Sequence, residues 1–333
     1  MRHKQNKTNV KDNLYQVWTL TKRNLLLFLK NPTSIVFSLI TPVLILVIFI
    51  FLINEQTMEM ALELIQKQNP GFSNVTPSQL LMIAQGWMVA GIVGIAILTI
   101  GLNTMFIRIK DQENNTIKDY VASPVNIVYL ALSYFLSSFI LTFMICFLFL
   151  IAGLVYLSIA YQVLFSTVVF LELVAILFLG TLSGIIILMV ITSFFNKSST
   201  ASSFTGVFSA LIGFLVGAYL PIGLLPSSLQ NVANLIPGSH STGLFRKVIL
   251  NELILKLNLN SVIEPVAMEN LRASFGVDLT LFGYKMDAWF MYIYLIISLI
   301  IFFIIYLLIE RTRSQIHFHG DLKGKKYQSK NRK

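Results

Sequence analysis

Residues 127–157 read IVYLALSYFLSSFILTFMICFLFLIAGLVYL, from Ile127 to Leu157, without a single Asp, Glu, Lys, Arg or His. The hydrocarbon core of a bilayer is about 30 Å thick, so a helix needs about 20 mostly apolar residues to cross it. This stretch has more than enough. Comparable runs occupy Ser34–Ile53, Gln85–Ile107, Val163–Phe194, Ser203–Pro221 and Asp287–Ile309. In hydrocarbon every backbone N–H and C=O must be satisfied within the structure, which makes a continuous apolar run a helix. A membrane barrel would instead show short segments of alternating polarity, so it is excluded. The expected fold is an all-α membrane protein of six transmembrane helices.

Composition agrees. The 333 residues are 56% hydrophobic and 12% charged, with a mean hydropathy of +0.75, whereas a soluble chain carries roughly a quarter charged residues. The first run follows more than thirty polar-to-amphipathic residues and leads into Asn54-Glu55-Gln56, unlike a short cleavable signal. The single cysteine, Cys146, sits inside an apolar run and reads as packing.

Six spans place both termini on one side. That side holds 19 of the 25 Lys and Arg residues. Positive loops stay in the cytoplasm, so both termini are expected there, in a bacterial plasma membrane. The net charge of +10 therefore reads as a membrane-surface feature near anionic lipids, not as a nucleic-acid site.

The chain divides into a cytoplasmic tail with an amphipathic helix (1–32), a six-span domain (33–309) and a basic tail (310–333). From Asp12 to Asn31, Leu14, Val17, Trp18, Thr21, Leu25, Phe28 and Leu29 share one helical face, with Gln16, Thr19, Arg23 and Lys30 opposite. Pro32 ends the pattern. Such a helix is expected to lie in the membrane plane. It serves as an anchor, as a lever touching a cytoplasmic partner, or as both. In the outer segment 54–84, Glu55, Glu59 and Glu63 line one face, read as solvated ahead of a cation site. The segment 108–124 carries Ile117, Tyr120 and Val121 on one face among charged residues and stops at Ser123-Pro124. It reads either as an ordinary loop or as a short helix that passes force between a cytosolic partner and the spans. At the start of the outer segment 222–286, the stretch from Pro221 through Pro226 to Pro237-Gly238 is too apolar for a free loop and too short and proline-broken for a span. Re-entrant or interfacial helices fit it. Glu264, Glu269, Arg272 and Asp278 are expected to keep the remainder wet.

No phosphate-binding loop, nucleophile elbow or paired-carboxylate arrangement is present in the sequence. The histidines have no metal-ligand spacing, so no metal site is expected. Glu172 is the charge placed inside a span. It is open between a substrate-path or proton-linked role and a structural hydrogen bond. Gly180-Thr-Leu-Ser-Gly184 and the stripe Ser209, Gly213, Gly217 would let helices approach closely, either inside the chain or at a dimer interface.

Two stretches carry a family resemblance: Glu113-Asn-Asn-Thr-Ile-Lys-Asp-Tyr-Val-Ala-Ser-Pro124, and Pro221-Ile-Gly-Leu-Leu-Pro-Ser-Ser-Leu-Gln-Asn-Val-Ala-Asn-Leu-Ile-Pro237 with Arg246 following. With the six spans they resemble the type-2 ABC exporter permeases. The resemblance implies that the first stretch, with Lys110, Glu113, Thr116, Lys118, Asp119, Tyr120, Ser123 and Pro124, is a coupling helix seated on an ABC ATPase subunit. It implies that the second, with Pro226, Pro237 and Arg246, is an outer re-entrant pair. The family loop usually has Gly before the Thr, where this chain has Asn115, and an acidic residue where it has Lys118. Asn tolerates left-handed backbone nearly as Gly does, so the turn is expected to survive. The resemblance further implies a transport subunit without catalysis of its own, paired with a second permease, a homodimer included. ATP and Mg would be bound by the partner ATPase and no cofactor by this chain. Low charge along the spans favours an amphipathic or lipophilic cargo (drug, antibiotic peptide or lipid). The alternatives are an ion-coupled secondary transporter and a permease for polysaccharide or cell-wall precursors.

Overall fold

The computed structural model describes residues 10–330 apart from 53–58, 61, 64, 67–71, 73, 124 and 260–262, with the side chains at 10–12, 50, 52, 121 and 313–330 also left aside. Glu55, Pro124, the Val121 side chain and part of segment 54–84 thus fall outside the described residues. Glu59 and Glu63 are exposed.

Among the described residues, six helices are long and apolar enough to cross a membrane. They are α2 (Pro32–Leu52), α3 (Pro77–Thr104, prolonged by α4, Phe106–Glu113), α6 (Ile127–Tyr161), α7 (Thr167–Ser193), α8 (Ser198–Leu215) and α12 (Ala288–Lys330). A further helix, α1 (Val10–Leu29), precedes them. Local chemistry sets their starts. Thr76 and Gln79 form a reciprocal capping box at α3, followed by Pro77. Asn126 accepts the Val128 N–H at 2.9 Å to cap α6, and Ser166 accepts that of Val169 at 3.3 Å to cap α7.

The α3–α4 rod is the axis of the molecule: 89% of its span is buried, against 17% for α8 and α12. It is packed by α2, α6, α7, α8 and a helix that is not among the six, α10 (Pro237–Lys256). Lipid tails are as apolar as leucine, so association of these helices depends on close packing rather than on water exclusion. At Gly94 a Cβ would fall 2.0 Å from the Thr242 hydroxyl of α10, so only hydrogen allows this approach.

The fifth span ends earlier than its apolar run, at Leu215. Gly217 takes φ +69 and turns the chain back. A short 3-10 segment (Ile222–Leu224), α9 (Ser227–Asn234) and α10 follow. The start of α10 sits against the middle of the bundle, with Gly238 beside Leu98 and Ser241 beside Gly180, and its end rises past Gly86, near Leu250 and Leu253. The region from Pro226 to Pro237 thus holds one eight-residue helix, while Pro237 opens a buried helix of 20 residues. Beyond it come α11 (Pro265–Ser274) and an antiparallel hairpin, β1 (Leu279–Leu281) with β2 (Tyr284–Met286), a small β addition to the helical fold. Its two-residue turn, Phe282-Gly283, has φ 51 and 84, the positive values that two-residue hairpin loops require. The pattern Leu-Thr-Leu-Phe-Gly-Tyr-Lys-Met carried that signal.

Candidate functional site

At the end of the bundle where α1, α4 and the close of α12 meet, α4 presents two charges one turn apart. Arg108 is 2% exposed. Its guanidinium donates to the Glu310 carboxylate of α12 and to the Thr192 carbonyl of α7 at 3.4 Å. The Tyr306 ring lies 5.8 Å from it. Asp111, also buried, accepts two N–H groups of Arg23 at 2.5 and 2.8 Å and the Tyr134 hydroxyl at 2.6 Å. One short helix therefore grips α1, α6, α7 and α12 by charge-assisted bonds, the stronger class of hydrogen bond.

Arg23 was placed by periodicity on the solvent face of α1, but it points inward to Asp111, with Tyr120 6.0 Å beyond. Trp18 and Phe28 were read on one apolar face, and the structure parts them. Phe28 is buried together with Thr21 and Asn24 where α1 packs on α6, whereas Trp18, Leu14 and Leu29 form an exposed apolar side. The helix thus has one apolar edge packed on protein and another exposed, which a single amphipathic face does not describe.

The segment 108–124 is two helices, α4 and α5 (Thr116–Ala122), split at Asn114-Asn115. Asn115 takes φ 61, so the turn for which the related loop uses Gly is made by Asn. Lys110, Lys118 and Asp119 are exposed at this tip, Thr116 opens α5, and Ser123, extended at ψ 169, closes it. Glu113 is already engaged: it accepts the Ser198 N–H at 3.0 Å and hydroxyl at 2.5 Å, capping α8. Arg108, Asp111, Tyr134 and Glu310 were missed as a group. Their signal was the appearance of charges at the ends of otherwise uncharged spans.

A second buried guanidinium lies deeper. Arg246 of α10 is fully buried. Its Nη2 donates to the carbonyls of Val216 at 3.1 Å and Gly217 at 2.7 Å, and its Cζ stands 5.5 Å from the Trp87 ring centroid of α3. Pro226 and Pro237 bound the chain that returns to it. The stripe Ser209, Gly213, Gly217 is used within the chain. A Cβ on Gly213 would meet the Tyr219 ring at 2.3 Å, the Tyr219 hydroxyl reaches the Ser209 carbonyl at 3.4 Å, and Gly217 makes the turn.

Glu172 of α7 is exposed, 3.4 Å from the Tyr292 hydroxyl, and lines a cavity of about 220 Å³ with Lys247, Asn251 and Glu252. Asp278 was expected to wet the surface but is buried as an ion-pair hub, 3.4 Å from Lys247, 3.5 Å from Arg272 and 3.3 Å from Lys285. Desolvation pushes its carboxyl up, yet the three cations outweigh this and hold it below the ordinary carboxylate range. Among the described residues no group of three or more His, Cys, Asp or Glu is arranged to hold a metal ion.

This geometry accompanies a match in sequence. No curated protein matches the chain. The family model of the ABC-2 type transporter matches residues 15–250, from α1 through most of α10, and the chain therefore belongs to the ABC-2 type transporter family, as its membrane-spanning transport subunit.

Proposed function

We propose that this chain is the permease of an ATP-driven exporter and that the α4–α5 tip is where an ABC ATPase engages it. The observation that supports this reading most is the attachment of the tip. Through Asp111 and Arg108, displacement of α4 must move α1, α6 and α12 together, since each is held by a buried charge-assisted bond. A device of this kind converts a push from a soluble partner into a rearrangement of spans. Lys110, Lys118 and Asp119 are the exposed charges that recognise the partner, with Thr116, Tyr120 and Ser123 shaping the helix that bears them. Glu113 acts indirectly by fixing α8 to the tip.

In this reading both termini and the tip face the cytoplasm, α1 lies at the membrane interface with Trp18 toward lipid, and α9–α10 form the outer re-entrant element. ATP and Mg are bound by the ATPase, whose nucleotide-dependent closure biases two permease conformations. Two copies of the chain form the pathway. An outward, amphipathic or lipophilic cargo agrees with its low span charge.

The test is co-purification of an ATPase with the chain in mild detergent, comparing wild type with Lys110→Glu, Lys118→Glu and Asp119→Lys combined. Recovery with wild type and loss with the variant supports the reading. If no ATPase is recovered with the intact chain, the exporter reading fails, and Glu172 with its cavity becomes the centre of an ion-coupled transporter.

A further inference from the structure

We infer that Arg246, at its junction with Trp87, is a receptor for an anionic group (a carboxylate or phosphate) carried by the transported molecule. A buried guanidinium is costly unless its charge is met by an acid or by a full set of acceptors. Arg246 has neither. No ion pair among the described residues includes it. Nη2 is satisfied by two carbonyls, while among the described residues Nε and Nη1 have no acceptor, and neither has the Trp87 indole N–H. Two neighbouring side chains thus bring three unused donors, the complement of an oxyanion.

The wall on this side is made of turns. Gly217 (φ +69) and Gly276 (φ +66) each come so close that a Cβ would stand 3.1 Å from Nη1, and the 3-10 segment at Ile222 packs beside them. These segments can part without unwinding α3 or α10. The Val216 and Gly217 carbonyls then act as stand-ins for the oxygens of the anion: they hold the guanidinium while the site is shut and are exchanged for the ligand when the turns open. The cargo named here rests on the transporter reading above, whereas anion binding is measured without the ATPase.

The full-length chain with Trp18→Phe and Trp289→Phe, leaving Trp87 as reporter, is placed in nanodiscs of zwitterionic lipid. Its emission is titrated with dodecyl phosphate, inorganic phosphate, dodecyltrimethylammonium and dodecyl maltoside. A saturable change with dodecyl phosphate alone supports a membrane-borne anionic ligand, and saturation by inorganic phosphate as well supports a soluble one. Arg246→Lys keeps the charge but loses the fork, and is expected to weaken the half-point about tenfold. Equal responses to the cationic or neutral amphiphile, or no saturable response to either phosphate, would overturn the inference, and neither outcome depends on how Arg246→Lys folds.

Discussion

Arg108 and Arg246 are both buried, both rest near an aromatic ring, and both lie along the α3–α4 rod, where Arg246 sits beside Gly91, roughly 25 Å from position 108 at 1.5 Å per residue. They are neutralised differently. Arg108 faces a carboxylate from another helix, and its neighbour Asp111 faces Arg23. Arg246 faces two backbone carbonyls and an indole. A closed ion pair fastens helices in one arrangement. A cation held only by dipoles can be released to a better partner. The end near the termini is therefore built as a joint, and the deeper cluster as a latch.

Removing one partner of the joint should have the largest effect. Glu310→Gln strands the Arg108 charge and is expected to cost about 3–5 kcal/mol of stability, with Arg108→Met/Glu310→Met recovering most of it. Unfolding in detergent monitored by thermal shift checks this, and an unaltered Glu310→Gln would remove the distinction between joint and latch. Arg246→Met takes the charge away together with its bonds, leaving no stranded carboxylate. Its cost should be smaller, about 1.5–3 kcal/mol, the value of hydrogen bonds to a charged group. A loss equal to that of Glu310→Gln in the same assay would make Arg246 a second joint.

Asn115→Ala should cost about 1 kcal/mol, because a Cβ-bearing residue without Asn's local hydrogen bonding pays for φ 61, while Asn115→Gly should be close to neutral. Helix-tip protection in hydrogen exchange separates the two variants. The smallest effect concerns Asp278, the hub beyond the spans. Its carboxyl is depressed in the folded chain, so its contribution is complete above the unfolded carboxylate value of about 3.9 and is lost as pH falls through the lower folded value. Limited proteolysis of the 265–286 region should therefore be unchanged from pH 8 to pH 5 and accelerate only in stronger acid. Asp278→Asn should abolish that dependence.

The six spans were legible because uncharged runs of bilayer length admit few other structures. The left-handed turn at Asn115 was legible through the family resemblance, which places Gly there, together with the tolerance of Asn for that backbone. Less visible was α10, since its His240, Arg246, Lys247 and Glu252 break the hydropathy that marks a span, and its burial is created by α3, α7 and α12 closing around it. Periodicity placed Arg23 outside, because the partner that draws it inward lies 88 positions away. The Gly213 stripe stayed open between packing inside the chain and a dimer interface for a related reason: small residues announce a close neighbour without saying whether it belongs to the same chain.

The placement of α10 has a consequence for how the protein is made. Too polar to partition into lipid unaided, this helix is synthesised after α3 and α7 have supplied two of its walls and before α12 supplies the third. Tyr294 of α12 stacks on His240 at 4.0 Å and donates to the Leu235 carbonyl at 2.7 Å, closing over the buried start of α10. The nascent chain thus passes through a stage in which this polar, later buried helix waits in an open groove. The span that seals it, α12, emerges from the ribosome only after α10 is complete.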